Sequence, residues 1–436
     1  MIRTIFTLGL LQLLLLGSLN AQQLTLSPYS RYAIGEIFQN ASARHAGMGG
    51  VGIAADNYFS VNRTNPAASG DIIFTTMDFS GFGQYSRFSS NSNSEDQVTA
   101  GFQNLSFAFP ANNGMVFTLG FSPYSAVGYE VRDYRAVIID DSTYIQESQY
   151  KGEGGTNQVF IGFAGRLLDN RLRLGISGQY IFGGIRQDWL ATIRQQDSVT
   201  VAPFQIVAAS EDRYLKGSNV QAGFIYQDTL NKTKNILWRL GGTVDYNFGM
   251  QEDQITTFTN TVIEDTIISR TFDVRDIQLP FKYGVGLALH KPGYWSLAAD
   301  FTMQDWNAFE QYSSTGNFGR ETRISVGGEV IPKFDSFRYI QRISYRFGGY
   351  YKQSYITDFG DAAVNDLGFT FGFGLPASRK GNSRLNQGRS TSRVNLSFAL
   401  GKRGNLALNQ PVEELYARFT LGIALNDRWF IRRVVD

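Results

Sequence analysis

The chain has 436 residues, no cysteine and a formal net charge of +2. The lack of cysteine excludes disulfides, thiolate metal sites and lipid attachment through an N-terminal cysteine. The nearly balanced charge favours neither nucleic acid nor a strongly anionic ligand as a partner.

The first residues have the pattern of a signal peptide. Arg3 gives a positive start, residues 8–16 form an apolar core, and the sequence LNA at 19–21 offers a small-residue cleavage site. This core is shorter than the roughly 20 apolar residues of a membrane helix, and no later run reaches that length. We therefore predict that residues 1–21 are a signal peptide that is removed on export.

Residues 22–70 differ in composition from the rest of the chain. They are rich in Gly, Ala, Ser and Asn, and the run AGMGGVGIAA at 46–55 is too small-sided to cover a lipid face. Turns and short helical pieces are predicted here, with Asn40 or Ser42 as a helix cap.

An alternation of apolar and polar residues begins at Asp71 and recurs in about fourteen segments. In the last of them, Leu415 and Leu421 share one face and Arg418 lies on the other. Such charges belong in a wet lumen, because Arg or Lys facing lipid at mid-bilayer costs roughly 2–4 kcal/mol. The strands are predicted near 71–82, 101–109, 114–123, 156–166, 171–184, 218–227, 236–248, 280–290, 293–303, 321–331, 338–351, 365–375, 392–401 and 415–425.

Short and long connections alternate between these strands. The short ones are 110–113, 167–170, 227–235, 291–292 and 332–337, with the basic stretch 376–391 as the exception. The long ones are 83–100, 124–155, 185–217, 249–279, 304–320, 352–364 and 402–414, and strands are expected to extend beyond the membrane in 185–217 and 249–279. This alternation of short and long connections predicts an all-β fold in which residues 71–436 form a transmembrane antiparallel β-barrel of about 14 strands in the outer membrane.

Residues 22–70 are predicted to form an N-terminal plug, or hatch, inside this barrel. Eight strands close around side chains whereas sixteen or more leave an aqueous channel, so an empty barrel of fourteen would leak. Ile53, Tyr58, Phe59 and Val61 are unsuited to a solvated tail. A disordered periplasmic leader remains the alternative.

The plug sequence carries a family resemblance. The run AGMGGVGIA at 46–54, followed by Asp56 and by NPA at 65–67, resembles the N-terminal hatch signature of the FadL outer-membrane family. This resemblance implies a fourteen-stranded barrel that imports long-chain fatty acids and other hydrophobic compounds. The hatch or gate residues that it implies are Gly47, Gly49, Gly50, Gly52, Asp56, Asn65, Pro66 and Ala67.

Other motifs refine the resemblance. SPYSRY at 27–32, SPYS at 122–125 and NDRWF at 426–430 are similar to relatives from Bacteroidota, whereas polar NRT at 62–64 stands where the family is usually more apolar. In the family the third strand is kinked to make a lateral opening. Gly120, Pro123 and Gly128 are the residues that would weaken strand pairing at that place here.

Catalytic and metal-binding chemistry is not predicted. His45 and His290 are the only histidines, and each is expected to be a polar packing residue. The acidic pairs at 140–141 and 211–212 are interpreted as solvated loop charges, and the Gly-rich run 47–52 lacks the Lys-Ser/Thr of a phosphate loop. We therefore expect no enzyme, no cofactor and no metal site.

Two functions fit these observations. The first is passive uptake of hydrophobic small molecules, with outer-membrane lipid and an apolar ligand as partners. The alternative is a scaffold or shuttle subunit of a protein secretion or assembly complex, which docks a protein partner through extracellular loops such as 185–217 or through the basic stretch 376–391. Neither function involves nucleic acid.

Overall fold

The computed structural model describes residues 23–39, 41–55, 58–111, 114–139, 142–195, 205–260, 265–307, 309, 318–357, 363–377, 392–408 and 410–427. The predicted signal peptide, Asn40, Asp56, the acidic pair 140–141 and most of 376–391 lie outside these ranges. Within the described ranges, no helix is long and apolar enough to cross a membrane.

Fourteen antiparallel strands form one closed sheet. Each strand pairs with the next along the chain, and the last pairs with the first from Glu413↔Ser89 to Asp427↔Thr75. The strands are β1 (Thr75–Ser89), β2 (Ser94–Pro110), β3 (Met115–Ile139), β4 (Ser142–Leu167), β5 (Leu172–Gln195), β6 (Gln205–Asn231), β7 (Ile236–Asn260), β8 (Lys282–Lys291), β9 (Trp295–Asp305), β10 (Arg320–Val330), β11 (Ser344–Gln353), β12 (Asn365–Pro376), β13 (Arg393–Arg403) and β14 (Glu413–Asp427). Three short strands, Glu36–Ile37, Asp265–Thr271 and Arg275–Ile277, pair with β3, β7 and β7 respectively.

Apolar side chains of the sheet face outward and polar ones face inward. On β14, Leu415 and Leu425 are 48% and 49% exposed, whereas Glu414 and Thr420 are buried. A soluble protein has the reverse arrangement, because water disfavours a continuous apolar surface. The outward apolar face is the one that lipid covers in a membrane barrel. The predicted transmembrane antiparallel barrel of fourteen strands is thus confirmed.

The observed strands follow the predicted ones along the whole barrel. Agreement is closest at β12, which was expected at 365–375. In the first half, β3 to β7 have 25, 26, 24, 27 and 25 residues, far more than the 9–11 that cross a bilayer. They therefore extend beyond the membrane, as predicted for 185–217 and 249–279.

Two loop predictions were wrong, because 83–100 and 124–155 are mostly paired strand. Ser90 to Asn93 alone connects β1 to β2. The tip of the first hairpin is polar on both faces, with the sequence SNSNSED at 90–96. Without lipid on one face, alternation is not required, and the pattern of a strand is lost.

Two predicted strands also begin later than expected. The first starts at Thr75 rather than Asp71, because Pro66–Asp71 form a 3₁₀ helix. The strand predicted near 338–351 starts at Ser344, because Tyr339–Arg342 form a single helical turn.

The N-terminal segment, described at residues 23–39, 41–55 and 58–74, contacts lumen-facing side chains from strands around the sheet. It contains a 3₁₀ helix at Pro28–Arg31, the short strand Glu36–Ile37, helix α1 at Ala43–Ala46 and the 3₁₀ helix Pro66–Asp71. Ile34, Val51 and Ile53 are fully buried. Since so short a segment cannot form a core of its own, the barrel wall buries these side chains.

Candidate hatch and wall gap

The glycine-rich run forms a tight turn after helix α1. Gly49 and Gly50 have φ values of +70° and +84°, a backbone conformation that residues other than glycine rarely adopt. The Gly49 nitrogen donates to Thr370 Oγ1 on β12 at 2.7 Å, and Arg323 Nη2 on β10 donates to its oxygen at 3.1 Å. The turn is therefore held from two strands.

The next glycine is held by a carboxylate. The backbone nitrogens of Gly52 and Ile53 donate to Oδ2 of Asp300 on β9, at 2.6 and 2.9 Å. Asn62 Nδ2 donates to the oxygen of Gly52 at 2.6 Å. Gly47, the C-cap of α1, instead packs against the backbone of Gly372, where a Cβ would have only 3.3 Å of space.

The wall provides room for this backbone through glycines of its own. A Cβ added at any of nine lumen-facing positions would lie within 3.2 Å of an atom of residues 43–67. They lie on β5, β6, β7, β8, β10, β11, β12 and β14 and are Gly175, Gly223, Gly241, Gly284, Gly286, Gly327, Gly348, Gly372 and Gly422. We call them the wall glycines. Small residues on both partners permit close backbone packing, which was the reason for predicting a plug here.

The Asn-Pro-Ala motif caps the second 3₁₀ helix. Asn65 is fully buried; its Oδ1 accepts from the Ala67 nitrogen at 3.0 Å, and its Nδ2 donates to the oxygens of Ile53 and Phe224 at 2.7 and 3.2 Å. Pro66 fits the first helical position, where no N–H is needed. Ala67 packs against Gly175. Asp56, the remaining predicted hatch residue, lies outside the described residues.

Buried ion pairs tie the segment to the wall, and sequence analysis did not identify them. The Asp71 carboxylate accepts hydrogen bonds from Arg173 Nε at 2.5 Å and from Arg239 Nη1 at 2.6 Å. Arg44 of α1 pairs with Glu329 on β10 at 3.1 Å. All five side chains are at most 10% exposed.

The ladder between β2 and β3 ends early. Pairing runs from Pro110↔Val116 to Leu105↔Phe121, and within the described chain β3 has no ladder to β2 beyond Phe121. Gly120 lies inside the ladder, paired with Ser106. Pro123 lies just past its end, where the register with β4 also shifts.

The N-terminal segment occupies this wall gap. Glu36 and Ile37 pair with Ala126 and Ser125 of β3, and Gln103 Nε2 of β2 donates to the oxygen of Ala41 at 2.7 Å. Residues 36–39 and 41 thus contact both edges. Arg403 Nη2 on β13 forms an ion pair with Oε1 of Glu36 at 2.6 Å. Burial would raise the pKa of Glu36, but Arg403 outweighs it and lowers this pKa to about 2.

Gly128, further along β3, pairs with Glu153 of β4 on one edge and contacts the Ser30 side chain on the other. Its nitrogen donates to Ser30 Oγ at 3.0 Å, and Ser30 Oγ donates to its oxygen at 3.1 Å. A Cβ at Gly128 would lie 1.8 Å from the oxygen of Thr25. This position therefore requires glycine while the segment is in place.

The largest apolar cluster of the lumen is filled by the chain itself. Tyr29, Tyr32 and Ile34 pack into it beside Trp306 and Tyr355, whose rings stack with centroids 4.5 Å apart. A neighbouring cavity of about 180 Å³ is polar. It is lined by the carboxylates of Glu36, Asp245, Asp300, Glu321 and Asp366 and by the cations of Lys282, Arg323, Lys352, Arg403 and Arg418.

Both histidines are buried. His45 Nδ1 lies 2.9 Å from Ser42 Oγ, and burial lowers the pKa of His45 to about 3, so the ring is neutral. Ser42 directly precedes α1, but its side chain makes no capping hydrogen bond to the backbone. Among the residues that the structure describes, no three His, Asp or Glu side chains form a group able to hold a metal ion.

Solved structures share this architecture. The Pseudomonas putida toluene transporter TodX matches with a TM-score of 0.58 and 12% identity, over 90% of this chain and 100% of TodX. The Ralstonia pickettii toluene transporter TbuX gives 0.56 and 12% over 89% and 99%, and a Pseudomonas aeruginosa FadL homologue gives 0.55 and 11% over 90% and 99%. At these identities the similarity is one of fold. The predicted resemblance is confirmed at that level, and the protein is a FadL-like β-barrel of the outer-membrane type.

The match to a protein family covers the whole chain. Residues 1–436 match the BamG family, and the chain belongs to that family. No curated protein matches it. The neighbours above are transporters or a family homologue rather than enzymes; an origin in Bacteroidota stays a prediction.

Proposed function

We propose that the protein carries hydrophobic small molecules, such as long-chain fatty acids, across the outer membrane. The observation that carries this proposal is the wall gap beyond Leu105 and Phe121, which only the N-terminal segment fills among the described residues. An apolar solute gains nothing from an aqueous pore. A gap in the wall lets it leave sideways into the lipid, and the fold shared with two toluene transporters supports this route.

The N-terminal segment acts as a hatch with two parts. Residues 43–55 and 58–71, which include the Gly-rich turn and the Asn-Pro-Ala motif, are anchored by the wall glycines and buried ion pairs. Residues 23–39 and 41 lie beside the gap, where Ser30 contacts Gly128 and Glu36 pairs with Arg403. The second part is the one that moves when the route opens.

A disulfide across the gap tests this proposal. Ile37 and Ser125 are paired residues, a separation that a disulfide can span. The chain has no cysteine of its own, so Ile37→Cys with Ser125→Cys introduces the only thiols. Uptake of a fluorescent fatty acid into proteoliposomes should stop on oxidation and recover on reduction.

The matched control places a disulfide within the wall. Arg87 and Asp96 form an exposed pair between β1 and β2, and these strands need not separate during uptake. Oxidation of Arg87→Cys with Asp96→Cys should leave uptake unchanged. Uptake that continues through the locked gap contradicts the proposal.

The second candidate is a scaffold or shuttle subunit of a protein secretion or assembly complex. The observation that favours it is the self-filled apolar cluster, which leaves little room for a solute while Tyr29 and Tyr32 are in place. The long hairpins of β3 to β7 offer surface for a protein partner. Purification under mild detergent distinguishes the two: a stoichiometric protein partner supports the scaffold, and a lone barrel with bound apolar ligand supports uptake.

A further inference from the structure

A second cavity, of about 210 Å³, lies at the end of the barrel where β8 turns into β9. Four of its lining residues are rings of Phe and Tyr, and Trp295 is a fifth aromatic residue: Phe59 and Phe334 stack with centroids 6.3 Å and planes 11° apart, and Tyr58 and Tyr294 lie nearby. An engineered apolar cavity of about 150 Å³ holds benzene. The volume here is sufficient for one aromatic ring with a small substituent.

Cationic side chains outnumber carboxylates around this cavity. Arg44 and Arg346 share the single carboxylate of Glu329, at 3.1 and 2.5 Å. Lys291 lies over the Tyr294 ring at 4.5 Å. With Arg393 there are four cations to one carboxylate, and the described residues place no second carboxylate on the cavity wall.

Arg393 is a third guanidinium group that shares the charge of Glu329 with Arg44 and Arg346. It is 7% exposed, lies 5.4 and 5.9 Å from the ring centroids of Phe59 and Phe334, and donates to the hydroxyl of Ser344. Three buried guanidinium groups around one carboxylate leave positive charge that is not balanced, which is strongly unfavourable. The polar cavity of 180 Å³ contrasts with this one, because its five carboxylates balance its five cations.

We propose that the cavity of 210 Å³ binds a small aromatic carboxylate, with the carboxylate group at Arg393 and the ring against the aromatic wall. The excess of cations selects an anion, and Phe59, Phe334 and Tyr294 select a flat ring. This inference rests on the proposed function, because it names a further hydrophobic solute that the same barrel would take up.

Calorimetric titration of the full chain in a nonionic detergent tests the site with three probes. Phenylacetate has both features, 2-phenylethanol lacks the charge, and acetate lacks the ring. Phenylacetate should bind about tenfold more tightly than 2-phenylethanol, the effect expected of one charge-assisted hydrogen bond. It should also bind more tightly than acetate, which has no ring to bury. Arg393→Gln should abolish the preference over 2-phenylethanol while leaving the affinity for the alcohol unchanged.

Two further variants keep the test decisive. Arg87→Gln, which removes an exposed arginine on β1, should bind all three probes as the unaltered protein does. If Arg393→Gln fails to fold, Tyr294→Leu on the exposed turn should weaken phenylacetate but not acetate.

Equal affinities for the three probes, no binding of phenylacetate, or a preference that survives Arg393→Gln would overturn the site. Fatty-acid uptake that responds to the gap disulfide while phenylacetate fails to bind leaves the proposed function standing without this site. Phenylacetate binding with uptake insensitive to the disulfide supports the site and contradicts the proposed function.

Discussion

Asp300 of β9 and Gly52 of the N-terminal segment are joined by a hydrogen bond of 2.6 Å between the carboxylate and the backbone nitrogen. The same oxygen accepts from the nitrogen of Ile53 at 2.9 Å. Hydrogen bonds to a charged acceptor are roughly twice as strong as neutral ones. One wall carboxylate thus fixes the Gly-rich part of the hatch, and Gly241 and Gly286 allow the backbone to approach it.

Replacing Asp300 by Ala should loosen this part of the hatch. Two backbone N–H groups lose their buried acceptor, at a cost of about 1–3 kcal/mol. Urea unfolding of the purified protein measures the change in stability. Asp305→Ala, at the exposed end of the same strand, is the matched control. If both variants unfold at the same urea concentration, Asp300 does not anchor the hatch.

A single methyl group on a wall glycine should displace the hatch. In Gly327→Ala, the new Cβ would lie 2.1 Å from the carbonyl oxygen of Met48, so the turn after α1 must move. Conductance in planar bilayers should rise above that of the unaltered barrel. Gly165→Ala, where a Cβ has no neighbour within 4 Å, should leave the conductance unchanged. A rise in both variants would show that the increased conductance does not come from displacing the hatch.

The barrel was predictable because lipid imposes a period of two on every membrane-crossing strand. The run Leu415 to Leu425 shows this period in the sequence and again in the exposure of β14. The extension of β1 and β2 around Ser90 to Asn93 was not predictable in the same way, because water contacts both faces there and no apolar alternation is required.

The hatch was located through its glycines and through Asn65-Pro66-Ala67, but the groups that hold it were not. Asp71 was assigned to the first strand, and its partners Arg173 and Arg239 are 102 and 168 residues away in sequence. Such a pairing depends on how the barrel closes around the segment. The wall gap is equally nonlocal, because it arises where the described ladder between β2 and β3 ends at Leu105 and Phe121.

Neutralising Asp71 should destabilise the protein far more than neutralising an exposed carboxylate. Asp71→Asn leaves Arg173 and Arg239 buried without a countercharge, and breaking a buried pair in this way costs about 3–5 kcal/mol. Loss of heat-modifiable mobility in electrophoresis reports the unfolding. Asp96→Asn removes the exposed partner of Arg87 and should have a much smaller effect. Comparable losses would mean that the Asp71 cluster is not a major anchor.

Acid should release the part of the hatch that fills the wall gap. The pKa of Glu36 falls from its ordinary 4.5 to about 2, since Arg403 outweighs the opposing effect of burial. The ion pair therefore stabilises the closed gap fully above pH 4.5, and this stabilisation is lost as the pH falls toward 2. The reason is that the released Glu36 side chain, with the higher pKa, takes up a proton at a higher pH than the paired one does. A spin label on Ile37→Cys should become mobile over this range. With Glu36→Gln the label should already be mobile at neutral pH and respond little to acid; an immobile label in that variant would show that Arg403 does not hold the gap closed.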